Sequence, residues 1–247
     1  MRKLLPILAL LGGMCFGNTP PTLSANVGLA NATTTPRSTA SVSWVTGDII
    51  VVTMTDEGVN TGDGFTAVPT ATGLTFASVI NHTASANCAL AIFTATAASS
   101  GSSAITGSHH NSGTAGNWVM WVWVWHNSGG VGTNASQFTS TKTVSLTPAA
   151  GANSAIVWAV GDFAGGSVTP SATPTSPNET TRQAIGAAGA NYLNADITNQ
   201  TSSGAVSYGI VTTTTGPFSI GVLEIKGTTG GGPTCSQSIS LMGVGCQ

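Results

Sequence analysis

Charge is what this chain has least of. Only 6% of its 247 residues are charged, where an ordinary globular protein carries about 25%. The net charge is −2, and Arg37, Lys142, Arg182 and Lys226 stand far apart once Arg2 and Lys3 at the start are set aside. That excludes the clustered basic footprint that phosphate neutralisation needs, so nucleic acid is not an expected partner. With eight Asp and Glu in all, paired carboxylates for glycoside hydrolysis have little to draw on. Helix signals are missing as well, because no amphipathic 3.6-residue period appears. Without a helix there is no helix N-terminus to cradle a phosphate. Nor is there a Gly-x-Ser-x-Gly elbow in a strand-turn-helix setting. These absences point away from an enzyme, and no cofactor is expected.

Cysteine is scarce, at four residues. Cys88 lies in phase with Leu90 and Ile92 and is expected to be an inert core residue. Cys235 and Cys246 bracket a short loop, and in an oxidising compartment their pairing is expected to contribute about 3 kcal/mol. They are too few to hold zinc. Of the histidines, His109 and His110 are adjacent and would point to opposite faces of a strand, while His82 and His126 are isolated in sequence. One acidic grouping, Asp56, Glu57 and Asp63, sits in a turn-like stretch whose spacing is not that of an EF-hand. A solvated loop is expected there in preference to a calcium site, and no metal is expected.

An apolar run follows two basic residues at the N-terminus. Met1 to Gly17 has a basic start, an apolar stretch and small residues at its end, the pattern of a secretory signal peptide. It is too short to span a bilayer. Cleavage after Gly17 is expected, with an uncleaved N-terminus or a lipid anchor at Cys15 as the alternatives, and the protein is expected to be secreted, extracellular or at a cell surface. No transmembrane span is expected elsewhere.

What remains is Thr, Ser, Gly and Asn beside 41% hydrophobic residues, a composition that suits strands and tight turns. Strands are expected near 22–32, 41–45, 48–55, 73–82, 87–96, 103–109, 117–126, 139–146, 154–163, 181–187, 190–197, 204–213 and 217–226. A faint duplication runs through them. The stretch from Gly47 resembles that from Asn153, and the stretch from Ala86 resembles that from Ala190. Each half closes on a long apolar strand, Trp118 to His126 and Phe218 to Lys226. Two similar antiparallel Greek-key halves are expected to wrap into one jelly-roll-like β-sandwich over residues 18–226. Two separate small sandwiches are the alternative. Residues 227–234 read as a Gly-rich linker. Residues 235–247 read as a disulfide-closed tail carrying Ile239, Leu241 and Met242, either stapled back onto the sandwich or docking into a neighbour.

Four of the six tryptophans fall between Asn117 and His126. On a strand Trp121, Trp123 and Trp125 share one face, while Trp118, Met120, Val122, Val124 and His126 share the other. Three readings stay open: core packing, a subunit-interface ribbon, or a stacking platform for a sugar chain. Matching the two closing strands pairs Trp123 and Trp125 with Leu223 and Ile225. Glu224 and Lys226 would then mark the wetter face and leave the tryptophans on the drier one.

The Gly-Asp before an aliphatic strand, the Gly-Leu-Thr-Phe at 73–76 and the Phe-Thr-Ala-Thr-Ala at 93–97 resemble secreted and phage-associated bacterial jelly-roll domains. That resemblance implies a surface, adhesive or virion-decoration module, and it carries no catalytic residue with it. The expectation is a non-enzymatic structural or adhesive surface protein that self-associates or meets a surface glycan. Trp118, Trp121, Trp123, Trp125, Ile239, Leu241 and Met242 are its candidate contacts. The alternative is a carbohydrate-binding module that uses tryptophan stacking.

Overall fold

A computed structural model describes residues 19–32, 34–56, 64–82, 88–110, 117–149, 153–162, 169–173, 179–187, 190–202, 204–212 and 215–228. The signal segment, Glu57, Asp63, Cys235, Cys246, Ile239, Leu241 and Met242 lie outside these residues. The described chain is all β, and no helix occurs among the described residues. The first half contributes β1 (Thr22–Ala32), β2 (Arg37–Trp44), β3 (Ile49–Asp56), β4 (Ala77–His82), β5 (Ala89–Thr96), β6 (Gly101–Gly107) and β7 (Trp118–His126). The second contributes β8 (Ser128–Thr139), β9 (Thr143–Leu146), β10 (Ser154–Asp162), β11 (Thr169–Thr173), β12 (Glu179–Ala187), β13 (Ala190–Gln200), β14 (Val206–Val211) and β15 (Phe218–Gly227).

The halves repeat one strand order. A five-stranded sheet β1-β7-β3-β5-β4 in the first matches β8-β15-β10-β13-β12 in the second, and β2-β6 matches β9-β14. Every pairing between these strands is antiparallel. Strand β11 borders β14, and the bridges Thr70 to Thr106 and Gly64 to His110 lay the 64–70 segment along the same side of the β6 chain. Local features repeat too. The turn before β3 needs Gly47 at φ 90°, and its counterpart before β10 has Asn153 at φ 69°, a left-handed conformation that Asn tolerates better than most residues. The β4–β5 ladder slips between Ser78 and Ile80, and β12–β13 slips between Thr181 and Gln183.

Register makes the duplication quantitative. Trp125 stands opposite Ile49 and Ile225 opposite Ala155, so Trp123 and Trp125 do correspond to Leu223 and Ile225. The match between the stretches from Ala86 and Ala190 needs correction by two residues. Ile92 faces Thr53, and Asn194 faces Ala159, which makes Ile92 and Asn194 the counterparts. A slip of two keeps every side chain on its own face, so the sequence pattern is indifferent to it.

Each half closes its own two-sheet sandwich, the arrangement the sequence reading ranked second. In the first, Trp118, Met120, Val122 and Val124 of β7 pack with Ile50, Val52 and Met54 of β3 against Val42, Trp44 and Ile105. In the second, Trp158, Leu193, Phe218, Ile220 and Val222 pack against Leu146, Val206, Tyr208 and Ile210. The opposite faces of the two five-stranded sheets then meet. Ile49, Val51, Leu90, Ile92, Trp123 and Trp125 interlock there with Ala155, Val157, Ala159, Leu223 and Ile225. The molecule is therefore four layers deep, and its central strands are buried on both faces. That is why β3 and β10 read as unbroken apolar runs rather than alternating ones.

The seam has two-fold character. Thr55 and Gly161 are counterparts, and they touch each other: a Cβ on Gly161 would lie 3.4 Å from Thr55 Cγ2. Cross contacts are reciprocal, since β7 reaches β13 through Trp123 and Asp196, while β15 meets β5 where Gly221 makes room for Leu90 and Ile92. A face that covers its own copy in this way is the isologous geometry of a symmetric dimer, here within one chain. The open ends join as well, because Thr19 and Thr228 exchange backbone hydrogen bonds of 2.9 and 3.0 Å.

Candidate functional site

Four of the scarce carboxylates, Asp48, Asp56, Asp196 and Glu224, are buried. Glu224, taken from sequence as a mark of the wetter face, is fully buried. Ser154 Oγ donates to its Oε1 at 2.7 Å, while Thr133 N, Thr133 Oγ1 and Ala149 N donate to Oε2 at 2.9, 3.1 and 2.8 Å. This cage stands in for water, so the charge costs little to bury. It also needs Gly132, where a Cβ would lie 2.1 Å from the carboxylate. The tryptophans face the seam because a second sheet covers them, not because Glu224 is wet. Nearby, burial pushes the Tyr208 phenol up to about 12, opposed by a hydrogen bond from Gln200 and reinforced by the Glu224 charge.

A second polar cluster lies within the seam. Fully buried Asp196 accepts from Trp123 Nε1 at 2.9 Å, and from Arg182 through Nε and, at 3.0 Å, Nη2. Thr53 Oγ1 donates to Asn194 Oδ1 at 2.6 Å, and Asn194 Nδ2 donates to Gln183 Oε1 at 2.8 Å. Sequence reasoning missed this cluster, because polar residues alternating with Leu193, Ala195 and Ile197 look like a solvent face. A third pair, Asp56 Oδ2 and His109 Nε2 at 2.9 Å, is buried beside Trp118, on which the imidazole stacks with centroids 5.9 Å apart. Asp56 thus points inward rather than into a calcium loop. Among the described residues no group of three or more His, Cys, Asp or Glu is placed to hold a metal.

The tryptophan run is core. Trp118, Trp123 and Trp125 have no exposed surface, and Trp121 is partly buried over Gly28, where a Cβ would lie 2.0 Å from its ring. A stacking platform needs open ring faces. The sugar-platform reading of Trp121, Trp123 and Trp125 is corrected on that ground, and the ribbon that covers them is the second half of the same chain. Cys88 is buried, as expected, and its thiol lies 3.9 Å from the Pro217 carbonyl oxygen.

Two histidines remain accessible at functional-looking places. His82 sits between the halves, with Nε2 2.9 Å from Ser136 Oγ and Nδ1 3.4 Å from Ser219 Oγ. Burial lowers its pKa below 6.5. His126 closes β7 at the junction of the halves and pairs with Asp48 at the start of β3, Nδ1 to Oδ1 being 2.5 Å. Asp48 Oδ2 also accepts from Val45 N at 2.8 Å. Beside the pair opens a pocket of about 350 Å³ lined by Val45, Thr46, Gly47, Asp48, His126, Asn127 and Ser128. The sequence holds a signal for this pairing, since antiparallel register sets the start of β3 beside the end of β7.

Two outcomes follow. Asp196→Ala leaves Arg182 and Trp123 Nε1 without their acceptor and is expected to cost about 3–5 kcal/mol, whereas Asp196→Leu combined with Arg182→Met recovers most of it. Urea midpoints at constant m-value read this directly. For His82 the unfolded chain takes up a proton that the folded one refuses, so stability falls as pH drops through 6.5. The stability of wild type relative to His82→Gln is therefore expected to decline over that range, and a pH-independent difference would contradict it.

Comparison of the chain with protein-family models, with curated proteins and with solved structures finds no match in any of the three.

Proposed function

We propose that the chain is a secreted, non-enzymatic structural or adhesive surface protein that self-associates as a subunit of an extracellular or virion structure. The observation that carries this reading is how little charge reaches the surface. Asp48, Asp56, Asp196 and Glu224 are all buried, and the outer sheets expose hydroxyls instead. Ser41, Ser43, Ser102, Thr70 and Thr72 are exposed on one outer layer and Ser145 on the other. Several bond laterally, as Ser38 Oγ does with Thr106 Oγ1 at 2.7 Å and Ser43 Oγ with Ser102 Oγ at 3.2 Å. A surface of this kind sets up little like-charge repulsion between copies. Secretion rests on the N-terminal signal pattern, and the Cys235–Cys246 pairing rests on their spacing and that compartment.

The buried carboxylates of Asp196 and Glu224 are held by internal donors, which supports a structural role for them. A surface glycan remains a reasonable partner, though not by way of the tryptophan run. Purified chain beginning after Gly17 is expected to form larger particles or filaments as concentration rises, seen by light scattering and electron microscopy. With few charges to screen, assembly is expected to change little with salt. A strict monomer at all concentrations that adheres to no surface would overturn the reading.

A further inference from the structure

We propose that the pocket beside Asp48 and His126 is a binding site for one neutral sugar unit, such as the end of a surface glycan. This deepens the surface-protein reading and rests on it. The site is built rather than incidental. Asp48 is 2% exposed, and both its oxygens are occupied, one by His126 and the other by Val45 N. A carboxylate only accepts, so His126 Nδ1 donates to Asp48 and Nε2 is the nitrogen left for a ligand. The imidazole side chain keeps 31% of its surface exposed. Its ring is thus fixed by a buried partner while its second nitrogen stays available, which is the preorganisation that a binding group needs.

The duplication supplies a control for whether the architecture itself demands this pair. At the matching end of the second half, Ser154 stands for Asp48 and Lys226 for His126. Ser154 turns away to Glu224, and the space is filled by backbone: a Cβ on Gly227 would lie 2.5 Å from the carbonyl oxygens of both Thr19 and Asn153. The same strand end therefore forms without an acid–imidazole pair.

The lining selects the ligand class. Asp48 is sequestered, so a cation meets no free charge. No Lys or Arg lines the pocket, so an anion meets none either. A metal finds one imidazole and no cluster of further ligands among the described residues. Val45, half exposed, is too small an apolar contact for a hydrophobic ligand. What is offered is His126 Nε2, the hydroxyl of Thr46 and the amide of Asn127, with the Val45 methyls for a C–H face. A hydroxyl both donates and accepts, so one can bond Nε2 while its neighbours exchange bonds with Thr46 and Asn127, as a ring of vicinal hydroxyls does. The volume of about 350 Å³ lies at the small end of ligand pockets, about 300–1,000 Å³, which fits one sugar ring rather than an extended chain. Single-site binding of this kind is weak, and repetition on an assembled surface raises avidity without new contacts.

The test reads His126 alone. In protein labelled at its four histidines, with His126→Gln assigning the signal, imidazole resonances are followed by NMR during titration with methyl α-mannoside, methyl β-galactoside, methyl β-glucoside and N-acetylglucosamine. Glycerol serves as the control. One of these sugars is expected to move the His126 signals saturably while His109 stays still. Thr46→Val, a substitution at an exposed turn, is expected to weaken that binding about three- to tenfold. The proposal is overturned if no sugar shifts His126 more than glycerol does, or if Thr46→Val titrates like the wild type. Either failure leaves particle formation untouched, so it is distinguishable from failure of the self-association reading.

Discussion

The structure depends on the packing of two five-stranded sheets across one apolar seam. Trp123 and Trp125 from one half and Val157, Leu223 and Ile225 from the other are all fully buried there. Either sandwich alone would leave its share of this layer facing water, and a contiguous patch of that kind is what soluble monomers avoid. Duplication resolves the problem, because each copy presents the face that covers the other. The contact of Thr55 with its counterpart Gly161 marks where the two copies meet most nearly as equals.

The copies have diverged on the two sides of that meeting point. One side is sealed by Ile80, Leu90 and Ile92 around Gly221. The other carries Arg182, Gln183, Asn194 and Asp196, which engage one another or Trp123 and Thr53. Buried ionic and amide groups add little net stability over apolar ones of similar shape, but they tolerate few alternative partners. The scarce charges are spent in the same way elsewhere, at Glu224 and at Asp56. In a chain so poor in charge, what the surface presents is chiefly hydroxyl.

Much of this was legible in the residues. The alternation in β7 gave the two faces on which the tryptophans lie, and the matching strand ends gave their counterparts in β15. Strand β8 is not among the expected strands, and the missing side chains of Gly129 and Gly132 in it make room for the Gly227 carbonyl and the Glu224 carboxylate. The choice between one sandwich and two was hidden, since a strand buried on both faces looks the same whichever sheet covers it. Glu224 misled because periodicity reports polarity, while its burial depends on donors that arrive from distant strands. The Asp48–His126 pair needed only antiparallel register to be foreseen.

The central claim is that the seam binds two sandwiches into one cooperative body. Native-state hydrogen exchange tests it most directly, by comparing backbone amides of β7 in the first half with those of β10 in the second. The account predicts that both sets exchange only through global unfolding, with the same free energy and the same denaturant dependence. If the amides of one half exchanged through a partial opening while the other half stayed protected, the seam would not be what holds the molecule together.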